Sequence, residues 1–195
     1  TSNNFINSCA LCGLCGEVCP TDLNMGQPIK ETREKMVETS RMPASAHDFA
    51  LRDMEFSNGE NFAMAKNAPV GGRGEAMLRP YDGDVKTSEY VFFPGCQLSG
   101  SSPDYTEKAY GFLRDTFNND VGLMLRCCGA PADWAGRKDL FAESQAEFRA
   151  EHEKLGKPKV ILTCSSCYQV FQQHYPDVEI LSFWDVYDQH GQFPK

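Results

Sequence analysis

The chain has 195 residues, of which 41% are hydrophobic, and its formal net charge is -8 at pH 7. This length and composition are enough for one domain of ordinary size and a smaller appendage. The acidic balance excludes nucleic acid as a partner, because affinity for a phosphate backbone is built on Lys and Arg that displace counterions. No apolar run approaches the roughly 18 residues of a membrane helix, so we predict no direct membrane span.

The nine cysteines indicate a reducing compartment rather than a disulfide scaffold. Disulfide-rich secreted domains are usually much shorter and carry a signal peptide, whereas this sequence opens with the polar run Thr1-Ser2-Asn3-Asn4. We therefore predict a cytoplasmic protein, at most peripheral to a membrane complex. The absence of an initiator Met and the closeness of the first cysteine to Thr1 indicate a piece of a longer polypeptide.

The first four cysteines form the motif Cys9-x2-Cys12-x2-Cys15-x3-Cys19, followed by Pro20. These spacings are typical of a bacterial-type ferredoxin segment, and soft thiolates select iron–sulfur clusters or zinc over hard cations. The motif predicts a [4Fe–4S] cluster. A zinc knuckle is the alternative, although zinc sites typically use Cys-x2-Cys pairs that are set further apart.

The fourth ligand of this cluster is an open question. In two-cluster ferredoxins the last cysteine of such a motif ligates the neighbouring cluster, so Cys19 would serve a second cluster and another motif would complete the first. The sequence contains one such motif only. We favour a partner motif upstream in a longer protein over one that a second chain supplies.

Three regions follow from composition and periodicity. Residues 1–40 form the ferredoxin-type segment, with a helix whose first turn contains Pro28. Residues 41–87 are rich in Pro and Gly and predict a connector with one short helix at 49–56. Residues 88–195 alternate strand and helix patterns, which predicts an α/β domain with a parallel sheet.

Four apolar runs in the third region predict strands at residues 90–93, 121–125, 160–162 and 178–181. A helix should begin near Ser102, and a second should cover 137–155. The predicted buried face of the first helix consists of Tyr105, Ala109, Phe112, Leu113 and Phe117. The charges from 143 to 154 predict a solvated face on the second helix.

The other five cysteines follow the first three predicted strands. They are Cys96, the pair Cys127-Cys128 before Gly129, and Cys164-x2-Cys167. The carboxyl ends of parallel strands share one edge of a sheet, so we expect one site there. Adjacent residues on a straight strand point to opposite faces, and Gly129 permits the bend that would let both Cys127 and Cys128 face the site.

Five thiolates fit a polynuclear cluster, in which one sulfur can bridge two irons, and they leave one ligand surplus for a single zinc. Iron is favoured, and zinc stays open. Taken alone, Cys164-Ser165-Ser166-Cys167 would suit a thioredoxin-like dithiol at a helix start. The other three cysteines at the same edge argue against a lone dithiol. The four histidines are scattered and lack ligand spacing.

The second set, with Pro94-Gly95 before it, resembles the cysteine-rich CCG domain of heterodisulfide reductase over roughly residues 88–190. The same domain occurs in iron–sulfur subunits of glycolate and lactate oxidases and of anaerobic glycerol-3-phosphate dehydrogenase. The spacing from Cys96 to Cys127 is at the short end for that family. Members often carry two ferredoxin motifs and two CCG domains, so this chain resembles the second motif and the first CCG domain.

The resemblance implies an electron-transfer segment of an oxidoreductase complex. Its CCG domain would hold a noncubane [4Fe–4S] cluster that splits a disulfide in two one-electron steps, or zinc in some members. Expected partners are a flavoprotein and further iron–sulfur proteins, with a disulfide or a quinone-linked acceptor. The alternatives are an iron–sulfur subunit of a flavin dehydrogenase and a non-catalytic scaffold with structural zinc.

Overall fold

The computed structural model describes residues 2–59 and 87–191, and four short strands within them form one sheet. The order in the sheet is β2-β1-β3-β4, and every neighbouring pair is parallel. This arrangement confirms the predicted α/β fold class. The strands are β1 (Tyr90–Phe93), β2 (Val121–Leu123), β3 (Lys159–Leu162) and β4 (Ile180–Ser182).

Ten helices accompany the strands in the described residues. Four precede the sheet and six alternate with its strands: α1 (Ser2–Ser8), α2 (Leu14–Glu17), α3 (Gly26–Glu38), α4 (Asp48–Asn58), α5 (Cys96–Ser101), α6 (Pro103–Thr116), α7 (Ala130–Trp134), α8 (Lys138–Lys154), α9 (Ser165–His174) and α10 (Phe183–His190). None of these helices is long and apolar enough to cross a bilayer.

The sheet buries side chains on both faces, as its continuous apolar strands require. Successive residues of a strand point to opposite faces, so Phe92 and Phe93 belong to different layers. Each fully buried side chain of this kind contributes roughly 1.5–3 kcal/mol. The layer with Phe92 contains Leu113, Val121, Ile161, Phe183 and Val186. The layer with Phe93 contains Phe148, Phe171 and Tyr175, whose rings pack mainly edge to face.

The predicted strands and long helices match the structure closely, with one misplaced side chain. Tyr105 is 64% exposed, whereas Thr106 is buried. The buried face of α6 thus includes Thr106 in place of Tyr105, and the Tyr110 hydroxyl on this helix donates a hydrogen bond to the Val121 carbonyl oxygen. The short helices α1, α2, α5, α7 and α10 had no prediction.

The chain divides into two compact units. One contains Thr1–Met54 and Gly129–Glu143, and the other contains Glu55–Cys128 and Ser144–Lys195. The first unit thus joins the ferredoxin-type segment to α7. The predicted short helix of the connector is present as α4, and residues 60–86 of that connector lie outside the described residues.

In the first unit, one buried guanidinium ties three backbone segments together. Arg33 of α3 is 1% exposed and donates hydrogen bonds to the carbonyl oxygens of Ile6, Cys9 and Trp134 at 2.6–3.0 Å. Lys30, one turn earlier, lies 2.6 Å from the Asp133 carboxylate. The guanidinium group of Arg33 has several N–H donors in a fixed plane, so it can donate to all three carbonyl oxygens at once.

Candidate metal centres

The five cysteines of the second set lie at the carboxyl edge of the sheet. Cys96 opens α5 directly after β1, Cys127 and Cys128 follow β2, and Cys164 caps the start of α9 after β3. The strand order reverses direction between β1 and β3, and open α/β sheets bind ligands in the crevice at such a switch point. The topology therefore brings distant cysteines to a ligand-binding edge.

The sulfur atoms of this set form two hydrogen-bonded groups, and each group joins cysteines from two strand ends. The Cys96 thiol donates to the Cys127 Sγ at 3.5 Å. The Cys167 thiol is hydrogen-bonded to both Cys128 and Cys164. Cys127, Cys128 and Cys167 are buried, while Cys96 and Cys164 are partly exposed.

Gly95 leaves the space in which these sulfurs meet. Its φ of 81° and ψ of 163° belong to a backbone region that is open essentially to glycine alone. A Cβ at this position would stand 3.1 Å from the Cys167 Sγ and 3.6 Å from the Cys164 Cβ. The chain also turns at Gly129, with a φ of 86°, immediately after the cysteine pair.

Cys164, at the N-cap of α9, and Cys167, within that helix, have pKa values that are shifted in opposite directions. The Cys167 thiol donates to the Cys164 sulfur and lowers the pKa of Cys164 to about 5, with help from the backbone N–H groups of Cys167 and Ser166. The pKa of Cys167 lies well above its usual value because of the neighbouring Cys128 and Cys164 sulfurs and its own burial. The pair therefore favours a thiolate at Cys164 beside a protonated thiol at Cys167. Thiolates are the form that binds metal.

The donor set of the second site is made of sulfur alone. Among residues 2–59 and 87–191, no group of three or more His, Cys, Asp or Glu side chains is spaced to hold one metal ion. A sulfur-only group with partial burial and N–H donors suits iron–sulfur ligation.

Two residues that the sequence did not single out support the cysteine pair. The Asn58 side-chain oxygen, at the end of α4, accepts a hydrogen bond from the Cys127 N–H at 2.9 Å. Arg126 is 7% exposed and pairs with Glu147 and Glu151 of α8. The predicted solvated face of α8 is present, since the side chains of Glu147 and Glu151 are 49% and 38% exposed, and these two carboxylates also pair with a buried cation.

Of these two residues, Arg126 alone had a sequence pattern from which its role could have been predicted. It lies beside the cysteine pair, and Glu147 and Glu151 are spaced one helical turn apart. Asn58 had none, since it lies in the predicted connector. Tyr175 also borders the group: burial and then the Cys128 charge raise its pKa.

The first set is local and more exposed. Cys12 and Cys15 are exposed, and Cys9 and Cys19 are partly so. Backbone N–H groups point at two of the sulfurs: Leu11 donates to the Cys9 Sγ at 3.4 Å, and Met25 donates to the Cys15 Sγ at 3.2 Å. Such donors are a common environment for cluster-ligating thiolates.

Cys19 has a polar environment of its own. The Thr21 hydroxyl lies 3.2 Å from its Sγ. This contact lowers the pKa of Cys19, and the backbone N–H groups of Thr21 and Leu23 act in the same direction. The carbonyl of Cys9, at the other end of the motif, is held by Arg33 at 2.6 Å.

A family comparison supports the resemblance of the sheet region. Residues 90–172 match the model of the cysteine-rich CCG domain. These residues contain the whole second set of cysteines, so the resemblance seen in the sequence is confirmed.

The relatives that match are iron–sulfur and reductase proteins. A fumarate reductase (CoM/CoB) subunit from Methanothermobacter marburgensis is 27% identical over 170 residues, which cover 86% of this chain and 32% of that protein. An uncharacterized iron–sulfur protein from Methanococcus maripaludis is 23% identical over 179 residues, which cover 88% of this chain and 34% of that protein. The chain thus spans about a third of the length of these relatives. No solved structure matches significantly.

Proposed function

We propose that the chain is an iron–sulfur electron-transfer segment of a heterodisulfide-reductase-like oxidoreductase. The observation that carries the proposal is the meeting of thiols from three strand ends at the switch point of the sheet. A cluster of the noncubane [4Fe–4S] kind would be held by Cys96, Cys127, Cys128, Cys164 and Cys167. A [4Fe–4S] cluster would be held by Cys9, Cys12, Cys15 and Cys19, the last of which is also the candidate ligand for a neighbouring cluster.

The difference in exposure between the two sets supports a division of labour. The first set has two exposed cysteines, Cys12 and Cys15, so an electron donor can approach it closely. The second set has three buried cysteines and a partly exposed Cys164. Bound clusters would supply one-electron transfer, and burial together with hydrogen bonds to sulfur would give the two centres different reduction potentials.

The names of the relatives bear on the acceptor. One relative belongs to a fumarate reductase (CoM/CoB), which links that protein to a reduction and to CoM and CoB. For this chain the corresponding proposal is redox chemistry at the CCG site with a disulfide or a quinone-linked acceptor. A flavoprotein and further iron–sulfur proteins would be its partners.

Metal analysis of the anaerobically purified protein tests the proposal. We expect iron and acid-labile sulfide in amounts that correspond to two clusters per chain, and two distinguishable electron paramagnetic resonance signals after stepwise reduction. Low iron with about one zinc per chain would remove the redox role of the second site and favour the scaffold.

Matched serine variants assign the signals. Cys12→Ser should alter only the first signal, and Cys128→Ser only the second. Loss of both signals from Cys12→Ser would contradict two independent centres. An unchanged second signal in Cys128→Ser would contradict the use of all five sulfurs.

A further inference from the structure

A cavity of about 460 Å³ opens beside Cys164, where β3 and β4 end. Residues of the two following loops and helix starts line it: Leu162, Thr163, Cys164, Ser165, Tyr168, Ser182, Trp184 and Asp185. Its volume is within the usual range for small-molecule sites. It lies at the carboxyl edge of the sheet, where such folds bind their ligands.

An aromatic wall with a fixed orientation forms one side of this cavity. The Trp184 indole Nε1 donates a hydrogen bond to the Thr163 carbonyl oxygen at 3.2 Å, and the Phe183 ring packs edge-on at 5.4 Å. The Thr163 hydroxyl in turn donates to the Pro94 carbonyl oxygen at 2.8 Å. Trp184 nevertheless remains 64% exposed. A held but uncovered indole face is a surface on which a flat ring can stack.

The charges of the cavity disfavour an anion. Its lining, as far as the structure describes it, contains the Asp185 carboxylate but no Lys, Arg or His. The helices α9 and α10 both begin here, and a helix start by itself attracts negative charge. At both starts, however, this attraction is already satisfied within the chain. The N–H groups of Ser166 and Cys167 have the Cys164 sulfur as their acceptor, and the Asp185 carboxylate lies in the first turn of α10.

We propose that this cavity binds a neutral, planar ring system, the chemistry of a quinone headgroup, stacked on Trp184 beside Cys164. Its role as an electron acceptor or donor site rests on the proposed function, whereas the binding itself is independent of it. The Asp185 carboxylate makes the cavity a poor site for a disulfide that carries carboxylate, sulfonate or phosphate groups. The inference therefore favours the quinone-linked acceptor over an anionic disulfide at this position.

Two probes with the same rings and different charge test the inference. The neutral probe is 2-(hydroxymethyl)anthraquinone, and the anionic one is anthraquinone-2-sulfonate; neither adds readily to thiols. The chain has two Trp residues, so Trp134→Phe leaves Trp184 as the only indole. Binding is measured by equilibrium dialysis, and its location by saturable quenching of Trp184 fluorescence.

We expect the neutral probe to bind about tenfold more tightly than the anion, as one nearby carboxylate in partly solvated surroundings would produce. Asp185→Asn should abolish this preference. The control Asp188→Asn removes the same charge from the same helix outside the cavity and should leave the preference intact. Trp184→Leu should weaken binding of the neutral probe about tenfold or more.

Equal or tighter binding of the sulfonate to the unaltered cavity would overturn the inference, as would unchanged binding of the neutral probe in Trp184→Leu. Iron is measured on the same samples, which separates the two proposals. Iron-loaded protein that fails to bind the neutral probe overturns the cavity assignment alone. Binding by protein that holds zinc in place of iron overturns the redox function and supports the cavity as a ligand site.

Discussion

The two cysteine sets of this protein are assembled in different ways. The first lies within eleven consecutive residues, from Cys9 to Cys19, and its sulfurs receive N–H groups from residues nearby in the sequence. The second is assembled from the ends of three strands, with 30 and 35 residues of sequence separating its parts. Local sequence spacing therefore defines the first site, and strand order defines the second.

This difference teaches where each site is vulnerable. A site on a local loop depends on the contacts that hold the loop, and here one buried side chain, Arg33, fixes the carbonyl of Cys9 at its start together with those of Ile6 and Trp134. A site at a sheet edge depends on close approach between backbone and side chains, and here Gly95 provides it. Four substitutions test this contrast.

The largest effect should follow from Arg33→Ala. Three backbone carbonyls would lose their donor, and each buried group left unsatisfied costs roughly 1–3 kcal/mol, so we expect a loss of about 3–5 kcal/mol. Chemical denaturation measures it. The first cluster signal should weaken more than the second. The control Lys35→Ala changes an exposed residue of the same helix and should stay within about 0.5 kcal/mol. Equal losses of unfolding free energy in the two variants would contradict the role of Arg33 in holding the three backbone segments together.

Gly95→Ala should act on the second site instead. The strained backbone region costs on the order of 1–3 kcal/mol for a residue with a Cβ, and the new methyl group would press on the Cys167 sulfur. We expect the second iron signal to fall while the first persists. Gly100→Ala is the matched control in α5, because a Cβ there meets no atom within 4 Å. A preserved second signal in Gly95→Ala would refute the close approach.

A smaller loss is expected for Asn58→Ala. The Cys127 N–H would lose its acceptor, which costs about 1–2 kcal/mol when the group stays partly buried. Asn58→Asp keeps an acceptor oxygen and should restore most of that stability in thermal unfolding. If both variants lose the same amount, the hydrogen bond does not hold the cysteine pair.

The smallest effect concerns the ion pair between Arg149 and Asp177. Both residues line a second cavity, whose lining, among the described residues, contains no cysteine. The Arg149 guanidinium lowers the pKa of Asp177 to about 2. A carboxyl group whose pKa is depressed in the folded state stabilises the fold above its unfolded pKa of about 3.9, and that contribution disappears as the pH falls towards 2.

The difference in unfolding free energy between the protein and Asp177→Asn should therefore shrink between pH 4 and pH 2, as measured by urea denaturation at each pH. The two cluster signals at neutral pH should be the same in both proteins. A difference that grows as the pH falls would contradict the pairing.

Much of the fold was predictable because its strands are short, continuous apolar runs. Tyr90–Phe93 was predicted at its observed bounds, and the others differ by one to two residues at one or both ends. Tyr105 was misplaced because periodicity gives a helix face only to within about a residue, and the adjacent Thr106 is the buried one. Short helices such as α7 lack enough residues to show a period.

The sequence alone indicated which residues are candidate metal ligands, because cysteine spacing and the choice of thiolate over oxygen donors are chemical facts of the chain. It also indicated a parallel sheet, since buried strands and crossover helices have their own periodicities. The surroundings of the sulfurs became visible in the folded chain alone. Asn58, Arg33 and Trp184 reach their places through contacts between segments far apart in the chain, and such contacts leave no local pattern from which they could be inferred.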